Sequence, residues 1–270
     1  MKKILLVSGC SNTDQNFFSD IHPEMNCSWP KWPEILAKKL DMEFVNLAKC
    51  GQGNEFIYHS LLEYITNAAN EPIKRNGEVV STRNTTSNIG LVIPAWTQCQ
   101  RKDFTQGRTY RWTNVRIDPN GDVFWWMKKY LNLSLSLQIL CERYEIPLLQ
   151  VNMLEPYQDW LSGLRPRDND IRMGVYDKTF RYTYPGNPEE DTKRIIKIIN
   201  DYEDRIDGKK FLGWPLYKEM GGYSLQDELI GFAIKKPGRP PFDTKISKFD
   251  DHPNATGHRA IAEFIYDRLG

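Results

Sequence analysis

Short apolar runs alternate with amphipathic segments along the first half of the chain. Four apolar runs predict buried strands of a parallel sheet, at 3–8, 42–47, 88–94 and 146–151. The segments 32–40 and 54–64 predict helices, because Pro33 suits the first turn of one and Asn54 can cap the other. Strands that alternate with helices favour an α/β fold, with helices on both faces of a parallel sheet.

The segment 130–140 has a pattern that fits two structures. Leu131, Leu133 and Leu137 belong to an alternation of apolar and polar residues that is typical of a strand. Tyr130, Leu133 and Leu137 also belong to one helical stripe. We predict a helix, because the segment lies between two predicted parallel strands, where a crossover helix belongs.

Two regions exceed this alternation and are interpreted as insertions into a single domain that spans 1–270. The first, 104–123, contains Pro119-Asn120-Gly121-Asp122, which predicts the turn of a β-hairpin. The second, 153–245, begins with a stretch rich in Arg, Asp, Gly and Tyr that has no clear period. Insertions after strand ends usually line the ligand site of such sheets, so we expect both near the site.

Length and charge narrow the classes of function. A chain of 270 residues can bury a substantial core, and its formal net charge of +1 does not attract nucleic acid or anionic membranes. We therefore expect no nucleic-acid partner and no membrane span. The apolar stretch from Ile4 to Val7 is far too short for a signal sequence. The five cysteines are scattered without a Cys-x-x-Cys pair, which favours free thiols, no metal site and a cytoplasmic location.

Ser11 is the first candidate for chemistry. It follows the first predicted strand directly, so it is expected at the carboxyl edge of the sheet, where open α/β sheets bind ligands. Gly9 permits a tight turn, and backbone N–H groups after a strand can face a developing oxyanion. The alternative is that Ser11, Asn12 and Thr13 merely cap the next helix, which is the stronger interpretation for Ser11 taken alone.

His252 is the second candidate. Asp250 lies two residues before it and Asp251 is adjacent, so a carboxylate can set the tautomer of the imidazole and stabilise the imidazolium. Asn254 can cap the amphipathic helix that follows, whose packing on the sheet is expected to fix the His252 loop. The alternative is a solvated acidic turn. His258 lies one turn into that helix and is predicted to be structural.

Together these segments resemble the SGNH (GDSL-type) serine hydrolases almost from end to end. Segment 9–13 is similar to the first family block, which carries the nucleophilic serine, and 250–258 is similar to the fifth, which supplies the acid and the base. Segment 46–54 is similar to the second block, and Gly51 matches the glycine whose N–H serves the oxyanion hole. The resemblance implies a three-layer α/β/α sandwich with a mainly parallel five-stranded sheet, and catalysis without a metal or organic cofactor.

The sequence departs from the family pattern at the first and fifth blocks. Cys10 replaces the aspartate that usually precedes the serine, but that aspartate is not a catalytic group. One residue separates Asp250 from His252 instead of the usual two, which leaves Asp251 as a rival for the orienting acid.

The third block differs more seriously. Its asparagine, which donates to the oxyanion in the family, has no counterpart in Ala95-Trp96-Thr97-Gln98. Thr97 or Gln98 would have to donate instead, beside the N–H groups of Ser11 and Gly51. Loss of one oxyanion donor costs about 2.7–4 kcal/mol of transition-state stabilisation, which leaves a slow enzyme and an inactive protein both open.

The aromatic content bears on the substrate. Eight Trp and thirteen Tyr are many for this length, and most are expected in the core, yet several near strand ends could stack on a sugar ring. These candidates are Trp96, Tyr110, Trp112, Trp125 and Trp160, and Asn54 is a further candidate for substrate binding. We predict a serine esterase whose first substrate class is O-acetylated carbohydrate.

The alternative is a catalytically impaired carbohydrate-binding protein, or a phage structural or modifying protein, on the same fold. The Gly-Cys-Ser-x-Thr opening resembles a branch of the family often met in viral genomes, for which a virion location replaces the cytoplasmic one.

Overall fold

The computed structural model describes residues 2–70, 72–75, 78–82, 85–106, 111–115, 118, 120–156, 188–226 and 244–270. These residues form nine strands: β1 (Ile4–Gly9), β2 (Glu43–Asn46), β3 (Pro72–Arg75), β4 (Glu78–Thr82), β5 (Ile89–Trp96), β6 (Lys102–Gln106), β7 (Arg111–Val115), β8 (Gln150–Asn152) and β9 (Phe211–Leu212). They also form five α-helices: α1 (Trp32–Lys39), α2 (Asn54–Asn70), α3 (Val123–Arg143), α4 (Pro188–Asn200) and α5 (Ala255–Leu269). Short 3-10 helices cover Thr85–Asn88, Gly208–Lys210 and Lys218–Met220.

Five of the strands form one sheet in the order β2-β1-β5-β8-β9, and every neighbouring pair is parallel. The predicted α/β fold with a parallel five-stranded sheet is therefore confirmed. Two antiparallel hairpins, β3–β4 and β6–β7, lie outside this sheet.

Alternate residues of the central strands face two separate cores. Leu5 and Val7 of β1 pack with Trp32 of α1 and Ile261 of α5 on one face. Leu6 packs on the other face, in a core that includes residues of α2, α3 and α4. Because both faces of the sheet are covered by helices, the central strands β1 and β5 are mostly apolar. The result is three layers, with the carboxyl ends of the strands meeting at one edge.

The ambiguous segment 130–140 lies within α3 and is helical, which confirms that prediction. Asp122 is the N-cap of α3, and its carboxylate accepts a hydrogen bond from the N–H of Trp125 at 2.9 Å. The hairpin turn predicted at 119–122 is therefore wrong: the hairpin consists of β6 and β7, and residues 107–110 between them lie outside the described residues.

The segment 153–245 is more than an insertion. It contains α4, which packs into one core, and β9, which is the fifth strand of the central sheet. A two-residue strand is too short to have a recognisable period, and this explains why the sequence did not reveal it. Residues 157–187 and 227–243 of this segment lie outside the described residues.

Among the helices that the structure describes, none combines the length and the apolar character needed to cross a membrane.

Candidate active site

Ser11, His252 and Asp250 lie in one hydrogen-bonded line. His252 Nε2 lies 2.8 Å from Ser11 Oγ, and His252 Nδ1 lies 2.6 Å from Asp250 Oδ1. An ionised carboxylate can only accept, so Nδ1 donates to Asp250 and Nε2 is left to accept from the Ser11 hydroxyl. The structure therefore brings together the three side chains that the sequence selected from opposite ends of the chain.

Ser11 lies in a tight turn at the carboxyl end of β1. The N–H groups of Thr13 and Asp14 both donate to the carbonyl of Cys10, at 2.9 and 3.0 Å. A side chain at Gly9 would collide with this turn, because an added Cβ would lie only 2.6 Å from Thr13 Oγ1. Within the described residues 2–70 the next helix begins only at Trp32, so the interpretation of Ser11 as a helix cap is wrong.

Asp250 is buried, with 2% of its surface exposed. Burial by itself would raise the pKa of this carboxyl, but hydrogen bonds from His252 and Ser19 and the adjacent imidazole hold the pKa below its usual value. The backbone N–H of His252 also donates to Asp250 Oδ1, at 3.1 Å. Asp250 therefore stays ionised and is fixed against the imidazole ring.

Asp251 faces a different partner. Its Oδ1 lies 2.8 Å from Lys245 Nζ, and both side chains are mostly buried. Of the two carboxylates beside His252, Asp250 is the one hydrogen-bonded to Nδ1 of the ring, at 2.6 Å.

Phe17 supports the His252 ring on one side, with ring centroids 4.4 Å apart. His258 has a different environment, since it is 2% exposed and its Nδ1 accepts a hydrogen bond from the Trp32 N–H. Burial, with the nearby Lys31 and His252, lowers the pKa of His258 to about 3. A histidine that stays neutral and is enclosed in the core is structural, as predicted for this position.

Gly51 lies in the loop after β2, which is attached to the end of β1. The N–H of Lys49 donates to the carbonyl of Gly9 at 3.1 Å, and the N–H of Cys50 donates to Asp14 Oδ2 at 2.8 Å. Gly51 itself has φ +80°, a left-handed conformation that favours glycine. The loop that carries the predicted oxyanion donor is thus fixed beside the turn that carries Ser11.

Asn54 and Thr97 form a reciprocal pair. Asn54 Oδ1 accepts from the Thr97 N–H at 2.9 Å, while Asn54 Nδ2 donates to the Thr97 carbonyl at 3.1 Å. Both polar atoms of the Asn54 side chain are used on Thr97, so the predicted helix cap is wrong. Asn54 is 1% exposed, so its side chain is not open to a ligand in this structure. Its amide instead joins the start of α2 to the end of β5.

The remaining residues predicted at the end of β5 differ in how exposed their side chains are to solvent. Trp96 is fully buried and its Nε1 donates to Gln150 Oε1 at 2.9 Å, so its ring is not exposed to a ligand in this structure. The Thr97 hydroxyl is also buried and has no hydrogen-bond partner among the described residues. Gln98 is partly exposed, and its Oε1 accepts from Arg101 at 3.4 Å.

The β6–β7 hairpin contributes residues that the sequence did not select. Asp103 accepts from the N–H groups of Gly53 and Phe56, at 2.7 and 2.9 Å, and so occupies the N-terminus of α2. Asn114 Nδ2 donates to the carbonyl of Gly51 at 2.6 Å. No local sequence pattern predicts these contacts, because each one depends on where the hairpin packs against the rest of the protein.

Of the other aromatic candidates, Trp112 is half-buried and packs edge-on against Phe56, with centroids 5.6 Å apart. Trp125 is 53% exposed on α3. Tyr110 and Trp160 lie outside the described residues. The described part of the chain contains no cluster of His, Cys, Asp and Glu side chains that could bind a metal ion.

No protein-family model matches this sequence, and no curated protein matches it. Among solved structures, the chain is similar to a protein of Slackia heliotrinireducens that is described as a "putative SGNH hydrolase". The identity is 14%, the TM-score is 0.39, and the similarity covers 100% of both chains. At this identity and TM-score, the likeness supports no conclusion about activity.

Proposed function

We propose that this protein is a serine hydrolase that cleaves carboxylic esters through an acyl-enzyme on Ser11. The observation that carries the proposal is the line of contacts from Ser11 through His252 to Asp250, at 2.8 and 2.6 Å. A nucleophile in contact with a base, and a base oriented by a buried acid, is the arrangement that activates a serine hydroxyl.

In the proposed reaction, Ser11 Oγ attacks the ester carbonyl carbon while His252 Nε2 accepts the hydroxyl proton. Asp250 holds the ring in the required tautomer and stabilises the imidazolium. The tetrahedral intermediate collapses when its C–O bond to the alcohol breaks and the imidazolium protonates the leaving oxygen. Water then attacks the acyl-enzyme with His252 as base again, releasing the acid and regenerating Ser11.

The oxyanion donors in this proposal are the N–H groups of Ser11 and Gly51. Gly51 is supported by its left-handed backbone and by its loop, which is hydrogen-bonded to the end of β1. Of the two side chains considered as a third donor, Gln98 is the better candidate. It is partly exposed and carries an amide N–H, whereas the Thr97 hydroxyl is buried and cannot reach a substrate oxygen without movement.

O-acetylated carbohydrate is the proposed substrate class. Trp125 supports this choice as an exposed aromatic side chain able to stack on a sugar, whereas Trp96 is buried. A panel of acetylated sugars compared with longer acyl esters tests this choice. Rapid cleavage of the longer esters with no cleavage of the sugars would reverse it.

The proposed activity is tested with Ser11→Ala, assayed on p-nitrophenyl acetate. Turnover is expected to disappear while the thermal midpoint of unfolding stays within a few degrees of the parent. Ser136→Ala is the matched control, because Ser136 is an exposed serine on α3. Equal activity in Ser11→Ala and the parent would remove Ser11 from the mechanism.

The alternative function is carbohydrate binding on the same fold without catalysis, and the absent third-block asparagine favours it. A fluorophosphonate probe separates the two functions. Labelling at Ser11 supports the hydrolase, whereas measurable glycan binding without labelling supports the binding protein.

A further inference from the structure

The carboxylate of Asp250 has a partner on each oxygen. Oδ1 accepts from the ring and the backbone N–H of His252, while Oδ2 accepts from Ser19 Oγ at 2.5 Å. Ser19 is 1% exposed, so this bond lies inside the protein. Ser19 belongs to none of the segments that resemble the family blocks.

The hydroxyl of Ser19 is itself oriented. Its oxygen accepts a hydrogen bond from the N–H of His22 at 3.0 Å. Because an ionised carboxylate has no proton to give, the hydroxyl proton of Ser19 must point to Asp250.

The same segment also supports the backbone of the acid loop. His22 Nε2 lies 2.8 Å from Ser247 Oγ. Ser247 Oγ in turn accepts from the backbone N–H of Asp250 at 3.1 Å. The segment 19–22 therefore contacts the Asp250 side chain through Ser19 and its backbone through Ser247.

We infer that Ser19 is a positioning residue, which holds the Asp250 carboxylate with Oδ1 facing His252 and Oδ2 turned away. The inference rests on the proposed hydrolase function of the same site. The terminal torsion of an aspartate is broad, so the carboxylate plane needs contacts on both oxygens to be fixed. Without Ser19, a buried carboxylate oxygen is left unsatisfied and the ring of His252 loses its fixed acceptor.

Three variants separate this role from simple packing. Ser19→Ala removes the hydroxyl. Ser19→Cys keeps nearly the same side-chain volume but has only a weak hydrogen-bond donor, and Ser19→Thr keeps the hydroxyl. Ser136→Ala serves as the unrelated control. The measurements are kcat and KM on p-nitrophenyl acetate, the thermal midpoint, and the proton NMR resonance of the His252 Nδ1–H, which does not depend on turnover.

We expect kcat to fall about ten- to a hundredfold in Ser19→Ala and Ser19→Cys. A decrease of this size corresponds to the loss of one hydrogen bond to a charged group. KM is expected to stay within about twofold, as for an interaction that acts on the transition state. The Nδ1–H resonance is expected to shift or broaden in both variants, and Ser19→Thr to recover kcat and the resonance together.

Two results would overturn the inference. One is parental kcat in both Ser19→Ala and Ser19→Cys. The other is an unchanged Nδ1–H resonance in variants whose thermal midpoint has fallen, which would make Ser19 purely structural. A parent protein without esterase activity would refute the proposed function instead, and the resonance would still decide whether Ser19 orients the acid.

Discussion

His252 Nε2 lies 2.8 Å from Ser11 Oγ, across a separation of 241 positions in the chain. The two residues belong to the turn after β1 and to the loop before α5. Val7 of β1 and Ile261 of α5 are buried in the same core, so the packing of α5 on the sheet holds the two groups in register. The contact is thus a product of the core rather than of either loop alone.

Asp250→Asn and Asp251→Asn form a matched pair that tests which carboxylate serves His252. Asp250→Asn is expected to lower kcat about a thousandfold or more, because an amide at this position favours the wrong tautomer of the ring. Asp251→Asn removes the largely buried ion pair with Lys245 and is expected to lower stability by about 1–3 kcal/mol, with kcat near the parental value. Ester hydrolysis and urea unfolding measure the two effects. A large loss of kcat in Asp251→Asn with a near-parental kcat in Asp250→Asn would make Asp251 the orienting acid.

Gly51→Ala tests the oxyanion loop, with Gly221→Ala as its control. Both glycines have left-handed φ values, +80° and +87°, so each alanine is expected to destabilise the fold by about 1 kcal/mol. Gly221 has open space around an added Cβ, and Asn114 Nδ2 is 3.6 Å from the one added at Gly51.

Only Gly51→Ala is expected to lower kcat, by up to about a hundredfold, because a displaced N–H no longer meets the oxyanion. Steady-state kinetics and unfolding midpoints measured on the same samples give both quantities. A parental kcat in Gly51→Ala would argue against a role for this loop in transition-state stabilisation.

Asp103→Asn is expected to change how stability depends on pH. Burial raises the pKa of Asp103 to about 6, although the N–H groups of Phe56 and Gly53 act to lower it. A folded-state pKa above the unfolded value means that the folded protein binds the proton more tightly. The contribution is therefore fully present below about pH 4 and is lost as the pH rises through about 6.

The asparagine variant cannot titrate, so its stability relative to the parent is expected to improve between about pH 4 and 6 and then to level off. Urea unfolding at a series of pH values measures this difference. A constant difference across that range would contradict the raised pKa.

His258→Gln is expected to have the opposite pH dependence. Burial lowers the pKa of His258 to about 3, so the unfolded chain binds the proton more tightly than the folded protein. The parent therefore loses stability as the pH falls from about 6.5 towards 3, and the stability deficit of the variant is expected to shrink over the same range. At neutral pH the variant is expected to keep kcat within a few fold, whereas His252→Gln loses activity. Loss of turnover in a folded His258→Gln protein would mean that His258 also takes part in the reaction.

Much of the fold was predictable because its signals are local. The apolar run at 88–94 corresponds to β5 (Ile89–Trp96), and the segment 32–40 corresponds to α1 (Trp32–Lys39). Asn254 caps α5 as predicted, accepting from the N–H groups of Thr256 and Gly257 at 2.9 and 3.0 Å. Periodicity and capping depend on residues within a few positions of each other, so they can be predicted from the sequence.

Two errors in the sequence-based predictions have different causes. Asn54 is a good helix cap by residue type, yet its amide is used on Thr97, and Asp103 from the hairpin takes over the helix N-terminus. The turn-like Asn120-Gly121-Asp122 leads into α3 instead of joining two strands. Partners far away in sequence decided the outcome for Asn54, whereas a local helix cap decided it for the turn, because Asp122 accepts from the N–H of Trp125.

The chain by itself determined the layer order of the α/β fold and the choice of Ser11 and His252 as the residues to consider together. Only the tertiary structure decided that Asp250 faces the ring while Asp251 faces Lys245, and that Ser19 holds the second oxygen of Asp250. The physical reason is that both carboxylates lie within a few residues of His252 and Lys245, so the local sequence allows either carboxylate to face the ring. The contact of Ser19 with Asp250, across 231 positions of the chain, forms only in the folded protein.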